Sequence, residues 1–403
     1  MTDEMNKKLD LLLDSIKKSL VDIKREGRKA RELKKAVQES RDIVTEVLEQ
    51  QLGGVSLEEQ INISEIPDED WLITAKHIIA EINDPFVPKN QYEIYFLQLC
   101  NYLRNTNKET LLSNLIFSLN KMMQEEPDKY DALCNVFVKF PFWDSFNPED
   151  EDYSTFELRI SILKQHSYDL LWLYRNTADY LSKRTLAAIL MNWLDLQTNA
   201  LISVRSIFKN YCEPDIFPDN KEDVYVDLGA YIGNSIADYV QVYGKDYKKI
   251  YAFEPAKAVY DNLCETINDL DLHDIEIIQK GVGAQKGKKY IQENYYEYSY
   301  SRLIENGDIS EQVDVVRLDD ELKEYPTYLK VNVCGSEKEA ITGCKKIITK
   351  SSPKIAINIC YDYDNIWRIP SIIEEYNSNY IFYLRHYGDC ILPMDFVMFC
   401  RPN

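Results

Sequence analysis

Residues 224–240 read VYVDLGAYIGNSIADYV, and the reading of the whole chain turns on them. Val224 to Val226 form a short apolar run of the kind a buried strand shows. It passes through Asp227 and Leu228 into Gly229, and after Gly233 the apolar residues fall at helical spacing. Gly229 lets the backbone turn tightly and come close to a ligand, and Gly233 lets the new helix approach the strand. The N-terminus of that helix favours a carboxylate. A second strand, IYAFEP (250–255), ends on Glu254, where an acidic side chain is placed to bind both hydroxyls of a ribose.

Outward from this unit the same grammar continues. IEIIQKGV (275–282), YLKVNV (328–333), KIAINI (354–359) and YIFYLRHY (380–387) are strand-like and are separated by helical stretches. Such alternation predicts a mostly parallel, doubly wound sheet, an α/β Rossmann-like domain over 214–403. A glycine-rich turn alone also fits a purely structural strand-to-helix turn, or a nicotinamide site. The D-x-G-x-x-x-G form lacks the third glycine of the dinucleotide fingerprint, and together with Glu254 this shifts weight to S-adenosyl-L-methionine.

Upstream the patterns are helical. Residues 1–52 carry apolar residues at spacings of three and four, from Met5 to Ile23 and again at Val37, Val44 and Val47. They predict a long coiled-coil-like helix, lying either on its own domain or in a homo-oligomer. Residues 53–70 read as a linker, and 71–213 as an all-α domain interrupted at Asn83–Lys89 and Phe140–Asp152. The tyrosine-rich segment ENYYEYSYSR (293–302) reads as an exposed strand or a substrate lid.

The segment 224–400 resembles the FkbM family of methyltransferases. The matching motifs run in order: VDLGAYIGN, YAFEP, Ser301-Arg302, VVRLDDEL with Asp319, LKVNVCGSE (329–337), the Gly343 turn, PKIAINI, Trp367 with Pro370, and YLRHY (383–387). The resemblance implies a cytoplasmic enzyme that uses S-adenosyl-L-methionine, releases S-adenosyl-L-homocysteine, and methylates oxygen or nitrogen on a sugar, glycopeptide or related small molecule. Carried over by position, Asp227, Gly229, Ala230, Gly233, Asn234 and Glu254 hold the cofactor. Asp319, Lys330, Glu337 and His386 are the catalytic candidates.

The chain departs from the family at one motif. The family pattern L-K-x-D-x-E-G-x-E here has Asn332 and Cys334 at its first two acidic positions. A hard cation such as Mg²⁺ prefers carboxylate oxygens, so no metal site is expected. Asn332 cannot act as a general base. An amine or thiolate acceptor, another base (Tyr361, Asp362, Asp364 or His386), or a cofactor-binding scaffold without catalysis would each accommodate the change.

Composition limits the alternatives. The net charge of −20 disfavours binding to nucleic acid. No stretch is long and apolar enough to span a membrane. The nine scattered cysteines form no zinc or disulfide pattern, as in a cytoplasmic protein.

Overall fold

A computed structural model describes residues 11, 30–51, 63–140, 142–219, 221–294, 298–306, 311–389 and 391–403. The chain divides into two units, Met1–Phe117 with Phe156–Asn176, and Ser118–Thr155 with Thr177–Asn403.

In the first unit, helix α1 (Ala30–Gln51) lies against helix α2 (Asp68–Asn83). The stripe Val37, Val44, Val47 and Leu48 is buried with Trp71, Leu72, Ala75, Ile78 and Ile79. The Trp71 indole N–H donates to Ser40 Oγ at 2.6 Å, which satisfies two polar groups that this burial would otherwise strand. This half of the expected coiled-coil seam is thus covered within its own unit. The other half, Met5 to Ile23, falls outside the described residues. Ile63 and Ile66 join the same core, so the end of the expected linker is structural. Deeper in the unit, Asp169 accepts from His77 Nδ1 at 2.6 Å and from Thr74 Oγ1 at 2.9 Å, with His166 Nδ1 2.9 Å away. Burial pushes the Asp169 carboxyl up, but these hydrogen bonds win and hold it below its ordinary value.

The second unit is built on a seven-stranded sheet. Its strands are β1 (Val224–Leu228), β2 (Lys249–Phe253), β3 (Ile275–Ile278), β8 (Tyr328–Val331), β9 (Lys354–Asn358), β10 (Tyr380–His386) and β11 (Phe396–Pro402). Their order is β10-β11-β9-β8-β1-β2-β3. All neighbours are parallel except at β11, which pairs antiparallel with both β10 and β9. The chain runs outward from β1 to β3 on one side and restarts at β8 on the other. The order therefore reverses between β1 and β8, where open α/β sheets bind their ligands. Strands β1 and β8 are buried along their whole length, as strands covered on both faces must be. Ring stacking fixes the helix after β1: Tyr239 lies on Tyr225 with centroids 4.3 Å apart.

A second sheet, in the order β4-β7-β5-β6, uses β4 (Gly281–Val282), β5 (Gly287–Gln292), β6 (Arg302–Ile304) and β7 (Gln312–Val316). The helical stretch read as one domain over 71–213 is shared between the two units. From Thr177 onward it belongs with the sheet: the Ala178 amide donates to Phe382 O at 2.9 Å, and Arg385 Nη2 pairs with Asp179 Oδ2 at 2.7 Å. Phe140–Asp152, read as a break, also belongs to this unit. Its Trp143 stacks on Tyr363 at 5.0 Å, and Phe140 and Phe142 meet Tyr361.

Candidate active site

The carboxyl ends of β1, β2 and β8 open into one cavity of about 480 Å³, within the size range of small-molecule sites. Gly229 takes φ +77° at the end of β1, and a Cβ there would lie 1.9 Å from Asn332 O. Only glycine fits where the turn after β1 meets the turn after β8. Gly233 takes φ +94° and caps helix α3 (Asn234–Tyr243) without a side-chain cap hydrogen bond. Asn234 and Ser235, in the first turn of that helix, line the cavity. The helix N-terminus with its free amides suits an anion.

Asp227 itself does not face the cavity. It is fully buried, accepts from Lys330 Nζ at 2.7 Å and from Ser235 Oγ at 2.5 Å, and Lys330 Nζ also donates to Gly229 O at 2.7 Å. Lys330 and Asp227 thus tie β8, β1 and the glycine turn together as a positioning pair. Ala230 lines the cavity beside them.

Glu254 stands at the end of β2, on the cavity wall. Its Oε2 accepts from the Tyr231 amide at 3.1 Å and its Oε1 from the Ala256 amide at 3.0 Å. Burial pushes its carboxyl up to about 7, against the pull of those two amides. Each oxygen keeps a lone pair for a ribose hydroxyl.

The remaining catalytic candidates are elsewhere. Glu337 is wholly buried and accepts from the Val333 and Gly335 amides at 3.1 and 3.0 Å, so it shapes the turn after β8. Burial raises its carboxyl to about 8. The Asp319 side chain is buried and accepts from the Lys346 and Ile347 amides at 2.9 and 3.0 Å, which caps helix α4 (Lys345–Ser351). His386 is fully buried at the end of β10, and burial lowers it to about 4. None of these three lines the cavity, because each is enclosed by its own strand or helix terminus.

Residues 227–389 match the family described as Methyltransferase FkbM domain. The chain carries an FkbM methyltransferase domain. The crystal structure of Methyltransferase FkbM from Methylobacillus flagellatus KT is similar over 60% of this chain and 61% of its own, with 20% identity and a TM-score of 0.52. It shares the fold, and this chain spans about three fifths of its length. Fainter likeness links the chain to a putative rRNA-methylase from Clostridium thermocellum (46% of this chain, 89% of that one, 15% identity, TM-score 0.30). A putative methyltransferase from Streptococcus mutans in complex with SAH behaves similarly (47% and 92%, 13%, 0.31). No curated protein matches the chain.

The FkbM domain closes its cavity beyond β8 with residues the motif reading weighed only in part. Asn332 lines it, with a side-chain oxygen that is buried and has no hydrogen-bond partner among the described residues. The Cys334 thiol donates to Ser299 O at 3.1 Å, and burial pushes it up to about 12, so it is neither thiolate nor base. Ser299 to Leu303, from the tyrosine-rich segment, form part of the wall; 295–297 lie outside the described residues. Tyr211, Tyr361 and Asp395 complete it. Tyr211 and Asp395 have no sequence signal of their own: one lies in an irregular segment before β1, the other directly before β11. Among the described residues, no group of three or more His, Cys, Asp or Glu side chains is arranged to hold a metal.

Proposed function

We propose that the chain is a methyltransferase that uses S-adenosyl-L-methionine and acts on a glycan, glycopeptide or related metabolite. The observation that carries this is the joining of Glu254, the Gly229 turn and the first turn of α3 around one cavity at the β1/β8 reversal. The cofactor's groups have a matching place in each. Glu254 suits the ribose hydroxyls, the α3 N-terminus suits the amino-acid carboxylate, and Gly281 and Val282 offer a flat apolar wall for the base. When bound, the cofactor supplies an electrophilic methyl group. The chain's part is to orient it, and the Lys330–Asp227 pair fixes the turn that does so.

Tyr211, Tyr300 and Tyr361 give the cavity aromatic surface, which suits a sugar ring. The expected cytoplasmic location and assembly through the N-terminal helix belong to the same proposal. Titration calorimetry tests it: S-adenosyl-L-methionine should bind, and Glu254→Ala should weaken binding at least tenfold, as expected for loss of a charged hydrogen-bond acceptor. Wild-type protein that binds none at millimolar concentration sinks the proposal. A second reading, a cofactor-binding scaffold without catalysis, is favoured by the un-ionised Cys334 and the enclosed Glu337. Release of S-adenosyl-L-homocysteine during incubation with a bacterial glycan extract would remove it.

A further inference from the structure

After β8 this chain has no carboxylate that reaches the cavity: Asn332 and Cys334 line it, and Glu337 is buried away from it. Another carboxylate does reach it. Asp395 immediately precedes β11, and β11 runs antiparallel to β9 with Val397 opposite Asn358. That reversal brings the start of β11 to the same edge of the sheet as the carboxyl ends of β8 and β9. Asp395 therefore lines the cavity together with Asn332, Cys334 and Tyr361. It is held there: the Tyr387 amide donates to Asp395 O at 3.0 Å and the Ile359 amide to Phe396 O at 3.2 Å.

Its backbone is strained, at φ +51°, and the cavity-lining Tyr231 and Cys334 share that left-handed conformation at φ +50°. Strained backbone of this kind gathers at functional sites. Its neighbours Tyr211, Cys360 and Tyr361 are all held un-ionised by burial. Burial also raises the Asp395 carboxyl, against a hydrogen bond from Asn358, which makes it a stronger base than a solvated aspartate.

We infer that Asp395 is the carboxylate that faces the transferring methyl group and takes the proton of an acceptor hydroxyl. The acceptor oxygen forms a bond to the methyl carbon, the carbon–sulfur bond breaks with its electron pair left on sulfur, and the hydroxyl proton passes to Asp395. The inference rests on the methyl-donor reading above.

The test needs no acceptor. Sinefungin carries a protonated amine where the cofactor carries its methylated sulfonium, whereas S-adenosyl-L-homocysteine carries a neutral sulfur. Calorimetry is run with both on wild type, Asp395→Asn and Asp395→Glu. Asp395→Asn should bind S-adenosyl-L-homocysteine like wild type, which also shows that it is folded. It should lose sinefungin affinity by about tenfold or more, the effect of one charge-assisted hydrogen bond, and Asp395→Glu should recover part of that loss. An Asp395→Asn protein that keeps sinefungin affinity, or loses both ligands equally, overturns the inference and leaves the methyl-donor reading standing. A wild type that binds neither ligand overturns both.

Discussion

Single side chains decide this site because its two turns touch. At Gly229 the backbone is left-handed and a Cβ would fall on Asn332 O, so no rotamer can relieve the contact. Gly229→Ala should destabilise the protein by at least about 2 kcal/mol in urea unfolding, since the left-handed cost alone is about 1–2 kcal/mol. Glu254 makes a different kind of prediction. Its folded carboxyl titrates at about 7, above the ordinary 4.5. A raised folded value means that the neutral form is favoured, so its stabilising contribution is complete below about pH 4.5 and is lost as pH rises through about 7. Glu254→Gln removes that dependence. In the ligand-free protein the melting temperature of Glu254→Gln should gain on wild type as pH climbs across this window, while cofactor affinity falls. A melting-temperature difference that stays constant, or turns against Glu254→Gln, as pH rises would show that the Glu254 carboxyl is not raised. The glycines and Glu254 were legible in the sequence because each answers a local backbone demand. Asp395 was not, since its place depends on the antiparallel pairing of β11 with β9, in which Val397 lies opposite Asn358, far away in sequence.

At the scale of elements, the alternation of strands and helices was readable for most of the main sheet, from the buried β1 and β8 to the half-buried β3, but not for the buried β11, Phe396–Pro402. The six runs picked out from the sequence all fall on strands. Most of the second sheet escaped as well. β4 has only two residues and falls at the end of the run read as one strand over 275–282, and β5, GKKYIQ, is exposed or half-buried along most of its length, so neither announced a second sheet. Phe140–Asp152 looked like a loop because its rings are spaced for neither helix nor strand, and their partners, Tyr361 and Tyr363, are distant in sequence. Asp319 shows the opposite case, a motif residue whose work is architectural. It accepts two amides of the first turn of α4, the arrangement by which an acidic side chain stabilises a helix start. Asp319→Ala should therefore cost about 1–2 kcal/mol in urea unfolding. Its affinity for S-adenosyl-L-methionine should equal that of wild type by calorimetry. Lost affinity at unchanged stability would instead place Asp319 at the ligand.

For the molecule as a whole, the N-terminal helix poses a question of which surface covers its apolar stripe. A periodic seam states that something must cover it and leaves open whether that is the same chain or another. From Val37 to Leu48 the structure answers: Trp71, Ile78 and Ile79 of the same unit do. Two deletions separate this part from the rest. Removing residues 1–29 takes none of the described residues from that core, so the melting temperature should stay close to that of the full chain. If residues Met5 to Ile23 pair with a second copy, the same deletion should convert an oligomer to a monomer in light scattering. Removing 1–50 strips Val37, Val44, Val47 and Leu48 from Trp71 and its neighbours. Each large apolar side chain lost from a core costs about 2–5 kcal/mol, and a domain is stable by only about 5–15 kcal/mol, so the first unit should unfold. Equal melting temperatures for the two deletions would mean that the α1 stripe contributes little, and the core assigned to this unit would have to be redrawn around α2 alone.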